Sequence, residues 1–161
     1  MSCKQPDSAP EVEVVIEIPR GSFLKRGSNG DLDFVSPLPC PFNYGSVEGW
    51  IADDHDWLDA LVLGPRVAPG SRINTRAYGA IGFTDRDIYD DKLVCSAQPL
   101  TDRESQLVLN FFHVYASAKR LLNWYRRRPG RTACDGWGDA RQAIERLHHR
   151  GRYDASRLVP F

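Results

Sequence analysis

The sequence predicts an α+β fold, mainly β: a small closed β-barrel with two helices packed on its side. Three observations carry this. Short apolar segments, some alternating with a period of two, recur from Glu11 to Ser96. The longest of them is interrupted by Gly79 and Gly82, where a strand bends or bulges. After Pro99 the apolar period becomes that of a helix. The 161 residues are 42% hydrophobic, an ordinary globular composition, and are expected to form a single domain over 1–161, with a flexible arm at 1–10 and a tail at 151–161.

Glu11 to Ile18 sets Val12, Val14, Ile16 and Ile18 on one face and Glu11, Glu13, Val15 and Glu17 on the other, the pattern of a half-buried strand. Pro19 and Gly21-Ser22 end it. Ser28-Asn29-Gly30-Asp31 is a turn signal between a short strand from Phe23 to Lys25 and another over Leu32 to Val35. Pro37, Pro39 and Pro41 forbid ladder pairing, so Ser36 to Gly45 is expected to be a loop, with Asn43 and Gly45 supplying a turn. Ala60 to Leu63 is a continuous apolar run, consistent with a strand buried on both faces and stopped by Gly64-Pro65. Ile73 to Phe83 is the long strand, and the acidic stretch Asp85 to Lys92 leads into a strand from Leu93 to Ser96. Thr101-Asp102-Arg103-Glu104 is a capping box. Leu107, Phe111, Val114, Ala118, Leu121, Leu122 and Tyr125 then recur at helical spacing. Arg126-Arg127-Arg128 suit the helix's negative end, and Pro129-Gly130 stops it. A second helix is expected over about Asp139 to His149, with Ala140, Ala143, Ile144 and Leu147 inward.

Composition excludes several classes. Lys plus Arg and Asp plus Glu number 21 each, and zero net charge argues against a nucleic-acid protein held by a broad basic surface. Cys3, Cys40, Cys95 and Cys134 contain no C-x-x-C pair and read as reduced thiols. No apolar run approaches the roughly 20 residues of a membrane span, and the polar N-terminus carries no signal-peptide core. A cytoplasmic location and no membrane partner are expected.

Asp54-His55-Asp56-Trp57-Leu58-Asp59 crowds three carboxylates directly before a buried strand. Unpaired carboxylates repel one another and resist burial, which implies a cation, although an acidic surface loop has the same composition. An EF-hand loop needs Gly at its sixth position and Glu at its twelfth. Counted from Asp54 these are Asp59 and Pro65, and counted from Asp85 they are Asp90 and Ser96. Aspartyl-phosphate phosphotransferases place the apolar strand before the D-x-D pair, whereas here the strong strand follows it. Two acidic clusters at strand ends that face one cavity remain. Oxygen-only ligation suits Mg²⁺ or Mn²⁺ shared with substrate phosphates. Lys25, Tyr44, Lys92 and Tyr115 are available as phosphate partners.

At these residues the chain resembles the family I soluble inorganic pyrophosphatases of short, prokaryotic size. The resemblance rests on Glu17-Ile18-Pro19-Arg20-Gly21-Ser22 with Lys25, on Pro41-Phe42-Asn43-Tyr44-Gly45, and on Asp54-x-Asp56-x-x-Asp59. It continues through Arg76-x-x-Gly79, Asp85, Asp90 and Lys92, then Phe111-Phe112-x-x-Tyr115, and ends at Gly136-Trp137. It implies an OB-like five-stranded barrel with the site in its mouth, and hydrolysis of pyrophosphate to two phosphates. Asp54, Asp59, Asp85 and Asp90, with Glu17 beside them, would hold Mg²⁺ or Mn²⁺. Asp56 would deprotonate the attacking water, and Lys25, Tyr44, Lys92 and Tyr115 would bind phosphate. A homo-oligomer is implied, since the short forms commonly assemble as hexamers.

The chain departs from the family pattern at Gly27, Ser36, Cys40 and Ala116, which stand for an acid, an arginine, a tyrosine and a lysine. Lys119 lies one helical turn beyond Tyr115 and is either a substitute for the missing lysine or a solvated residue. His55 is either a ligand for a softer metal or a solvent-facing residue. The lost cations also fit a weakened or inactive relative that binds metal and a phosphate ligand, or one that hydrolyses another phosphoanhydride. Retention of Asp56 favours hydrolysis of pyrophosphate, because a binding module has no use for a base.

Overall fold

The computed structural model describes residues 9–26, 32–51 and 57–148. In chain order its elements are β1 (Glu11–Ile18), β2 (Leu24–Arg26), β3 (Leu32–Val35), β4 (Asn43–Ile51), β5 (Trp57–Val62) and β6 (Arg72–Asp85). These are followed by β7 (Ile88–Tyr89), β8 (Lys92–Ser96), α1 (Asp102–Tyr125), β9 (Ala133–Gly138) and α2 (Ala140–His148). The architecture is mainly β with two helices, as expected.

The alternation over β1 is realised: Val12, Val14, Ile16 and Ile18 are buried and Glu11 is exposed. β1 pairs antiparallel with β4 on one side and with β6 on the other. β4 pairs antiparallel with β5, β5 parallel with β8, and β8 antiparallel with β6. β7 and β9 extend this sheet from β6, while β2 and β3 pair separately. The glycine interruptions fall at irregularities, since the β6–β8 register shifts between Ala77 and Gly79 and the β6–β9 register between Gly82 and Phe83. Gly79 also leaves room for the Trp137 ring, which a Cβ would strike.

Period two divides the sheet between two cores. Leu58, Ala60, Val62, Leu93 and Cys95 join Val12, Val14 and Ile16 in one, where α2 contributes Ala140 and Ala143. Leu61, Val94, Ile81 and Phe83 face the other, closed by Val108, Phe112 and Ala116 of α1. The run Ala60-Leu61-Val62 is therefore buried on both faces, as its unbroken apolarity predicts.

Four expectations need correction. The loop predicted to end at Gly45 ends earlier, because β4 begins at Asn43. Gly45 is required by the approach of β1, since a Cβ there would overlap the Val15 carbonyl. β9 was not anticipated; it is short, contains Gly136, and is only half-buried. On α1 the buried face is Val108, Phe112, Ala116 and Asn123, while Leu107, Val114 and Leu121 are exposed. Two apolar stripes run along this helix, and periodicity alone does not choose between them. Finally, the part of the expected N-terminal arm within the described residues is held to the sheet: Ala9 is buried, and the Pro10 carbonyl accepts a 3.0 Å hydrogen bond from the Ala77 amide. The capping box forms as predicted, and α1 ends at Tyr125 with Arg126 as its cap. The turn at Ser28 to Asp31 and the tail at 151–161 lie outside the described residues.

Candidate active site

The parallel register of β5 and β8 sets Asp59 opposite Lys92, and the antiparallel register of β4 and β5 sets Ser46 opposite Asp59. Asp59 shares its face of β5 with Leu61, away from Leu58 and Ala60. Here the Lys92 ammonium, 3% exposed, reaches Asp59 Oδ2 at 3.0 Å, Asp90 Oδ1 at 2.9 Å and the Asp90 carbonyl at 2.7 Å. Three donors thus meet three acceptors. The Tyr44 hydroxyl donates to the same Asp59 oxygen at 2.6 Å.

A cavity of about 350 Å³ opens over this cluster. Tyr44, Asp59, Asp90, Lys92, Tyr115 and Lys119 line it, and Ser36, Cys40, Ile18 and Phe111 complete much of its wall. Five substrate or metal residues named from the sequence are therefore gathered on one cavity, together with Lys119, whose role the sequence left open. Two of the departures from the family pattern, Ser36 and Cys40, stand on the same wall.

Burial and charge act in opposition here. Burial lowers the affinity of Lys92 for its proton, but Asp90 and Asp59 outweigh it and hold the ammonium charged beyond the usual lysine range. Burial pushes Asp90 above the usual carboxylate range, with Lys92 opposing and Asp59 reinforcing the rise. The Tyr44 phenol is also raised, first by burial and then by Asp59. The Cys40 thiol is raised by burial to about 11, which leaves it a neutral wall group.

Glu17 stands at a β-bulge: the β1–β4 register shifts between Ile16 and Ile18, and Glu17 Oε1 accepts from Ser46 Oγ at 3.1 Å. It therefore lies on the strand next to Asp59's cross-strand partner rather than on the cavity wall. Asp85 is also set back. Its Oδ1 accepts from Asn123 Nδ2 at 3.0 Å and Thr132 Oγ1 at 3.1 Å, and its Oδ2 meets Lys119 Nζ at 2.8 Å. Asp54, His55 and Asp56 lie outside the described residues, as does the side chain of Lys25.

The carboxylates of Asp59 and Asp90 are hard oxygen donors on a cavity wall, and burial raises Asp90 even with Lys92 beside it, a rise that a divalent cation would relieve, so this pair fits a hard divalent cation such as Mg²⁺ or Mn²⁺. Among the described residues no three His, Cys, Asp or Glu side chains form a complete metal group. Asp54, another of the expected ligands beside Asp85 and Glu17, is not among them.

The sequence profile of inorganic pyrophosphatases matches residues 14–152. The chain belongs to the inorganic pyrophosphatase family. It is 31% identical over 149 residues to the inorganic pyrophosphatase of Haemophilus influenzae, covering 83% of this chain and 84% of the relative. It is 28% identical over 155 residues to that of Sulfolobus acidocaldarius, covering 87% and 90%. Its fold resembles the crystal structure of inorganic pyrophosphatase from Thermus thermophilus with a TM-score of 0.67 and 28% identity, covering 91% of this chain and 92% of that one.

Behind this family site lies a group that the sequence reading missed. Arg146 of α2, 2% exposed, makes a 3.0 Å ion pair with Asp91 and a 2.9 Å hydrogen bond to Asp135 of β9, with its guanidinium 4.0 Å from the Tyr89 ring centre. Asp91 Oδ1 also accepts from the Phe83 amide at 2.9 Å. Asp91 thus turns inward between Asp90 and Lys92, which face the cavity. The available signal was a basic residue three positions after Ala143, on the apolar face of α2.

Asp135 supplies a pH test. Burial raises its carboxyl, but hydrogen bonds from Thr84, Arg146 and Arg131 outweigh this and leave it below its ordinary value of 3.8. A carboxylate depressed by folding adds stability above its unfolded value and loses it as pH falls through the folded one. Asp135→Asn is therefore expected to lower the urea midpoint near neutral pH, and the gap from wild type should close as pH falls below about 4. A gap that stays constant to acid would contradict this.

Proposed function

We propose that this chain hydrolyses inorganic pyrophosphate to two phosphates with Mg²⁺ or Mn²⁺, in the cytoplasm and as a homo-oligomer. The observation that carries the reading is the Tyr44–Asp59–Lys92–Asp90 cluster on the floor of a cavity in a chain of this family. Asp59 and Asp90, with Asp54 and with Glu17 close by, would hold the metal. Bound there, a divalent ion neutralises phosphate charge and makes water more acidic. Asp56 takes the proton of the attacking water. The water oxygen bonds to one phosphorus, the bond from that phosphorus to the bridging oxygen breaks, and the electron pair leaves with the second phosphate. Lys25, Lys92 and Lys119, with Tyr44 and Tyr115, position the phosphates and absorb charge spread over the transferring group.

The closed circuit of pairings β1–β4–β5–β8–β6–β1 supports reading the sheet as a five-stranded OB-like barrel. The exposed row Leu107, Val114, Leu121, Trp124 and Tyr125 supports self-association. Among the described residues no helix is long and apolar enough to cross a membrane.

A second reading, a weakened relative or a hydrolase of another phosphoanhydride, is favoured by the uncharged wall of Ile18, Cys40 and Phe111. Phosphate release from magnesium pyrophosphate and from a nucleoside triphosphate, measured side by side, separates the two. Release from pyrophosphate supports the first reading. Release from the triphosphate alone would replace it with the second.

A further inference from the structure

We infer that Asp85 is a positioning residue for Lys119 rather than a metal ligand, and that Lys119, supplied by α1, binds phosphate in the cavity beside Lys92. This rests on the proposed hydrolysis of a phosphoanhydride. Its starting point is the supply of positive charge. Among the described residues, the ammonium groups lining the cavity belong to Lys92 and Lys119. Lys92 is held by Asp59 and Asp90, whereas Lys119 meets a carboxylate that stands outside the lining.

The surroundings of Asp85 explain why it stays there. A carboxylate oxygen offers about two acceptor directions. Oδ1 spends both, on the Nδ2 of Asn123 and the Oγ1 of Thr132, which are themselves buried. Thr132 Oγ1 is fixed in turn by donors from Asn123 Nδ2 at 3.1 Å and the Arg86 amide at 3.3 Å. Oδ2 meets Lys119 at 2.8 Å, with Arg86 Nε at 4.0 Å. Lys119 is steadied between two rings, its ammonium 5.9 Å from the Phe83 centre and 5.8 Å from that of Tyr115. Asp85 is thus saturated from behind by neutral donors of α1 and of the chain before β9, and its remaining oxygen aims a lysine forward. Ala116, on the same helix, is buried in the core and offers no cation.

The test is a double-mutant cycle with two binding readouts that need no turnover. Lys119→Met, Asp85→Asn and the double variant are compared with wild type by calorimetric titration with Mn²⁺ alone, then with inorganic phosphate in the presence of Mn²⁺. Thermal melting confirms that each is folded. The expected result is phosphate binding weakened about tenfold by either single change, as for one charged hydrogen bond. The double variant should be no worse than Lys119→Met, and the Mn²⁺ affinity should stay within about twofold throughout. Lys119→Arg should restore part of the loss. An Asp85→Asn variant that weakens Mn²⁺ about tenfold even without Lys119 would overturn the inference. So would phosphate binding unchanged by Lys119→Met. Should Asp85→Asn fail to fold, Lys119→Met decides alone: weaker phosphate with unchanged Mn²⁺ supports the inference, and tighter Mn²⁺ with unchanged phosphate overturns it. Wild-type protein that binds phosphate through Lys119 but releases none from pyrophosphate would count against the activity and not against the pair.

Discussion

Replacing Lys92 by Met is expected to abolish most activity and to destabilise the fold. Its ammonium is 3% exposed and touches Asp59, the Asp90 carboxylate and the Asp90 carbonyl. The methionine fills a similar volume, so little of the effect comes from packing. What changes is charge, because two acids on the cavity are left facing each other without their cation. Removing one partner of a buried ion pair costs about 3–5 kcal/mol. Losing a preorganised donor to a transferring phosphoryl group costs about 10²–10³-fold in kcat. Turnover of magnesium pyrophosphate and urea unfolding of the same sample measure both. Unchanged kcat in a folded Lys92→Met protein would remove Lys92 from the site.

Arg146→Met should produce the largest loss of stability away from the cavity. The guanidinium serves Asp91 and Asp135 together and packs on Tyr89. Burial pushes Asp91 up to about 7 even against the pull of Arg146, so that arginine is what brings its ionisation within reach of neutral pH. Without it Asp135 loses a buried partner and Asp91 is driven to its protonated form, at a cost of about 3–5 kcal/mol near neutral pH. An aspartate whose folded pKa lies above its unfolded one loses stability as pH rises between the two values. Removing Arg146 raises Asp91 further, so folded Asp91 is protonated near neutral pH in the variant; the defect should change little between pH 5 and pH 7 and grow as pH rises above about 7, where wild type keeps an ionised Asp91 and the variant does not. Adding Asp91→Asn should recover part of the loss at pH 7, since the asparagine keeps an acceptor for the Phe83 amide without the charge. A defect that fails to grow from pH 7 to pH 9, and is unrelieved by the second change, would contradict this account.

What the sequence discloses depends on whether a residue answers to a local or a distant constraint. The β1 alternation, the α1 capping box and the doubly buried strand at Ala60 are local patterns, and all appear in the structure. The placement of Tyr44, Asp59, Asp90, Lys92 and Tyr115 on one cavity was legible through the family motifs, and that of Lys119 through its one-turn spacing from Tyr115. β4 was misread because Asn43 and Gly45 look like turn residues while serving remote partners. Asn43 accepts from the amides of Arg20 and Val67 and donates to the carbonyls of Val62 and Pro65, tying together three chain segments. Gly45 makes room for β1. The Asp91–Arg146–Asp135 group joins residues 44 and 55 positions apart as well as near neighbours, and no sequence period records such a pairing. The exposed stripe of α1 was indistinguishable from its buried one for the same reason: which face is covered is decided by the sheet.

Metal-dependent hydrolysis of pyrophosphate with Asp56 as the base can be checked by phosphate release from magnesium pyrophosphate, comparing wild type with Asp56→Asn at matched folded concentration. The expected result is release of two phosphates per pyrophosphate by wild type, abolished by a chelator and reduced at least about 10²-fold in the variant. Release by wild type no faster than by Asp56→Asn would contradict it.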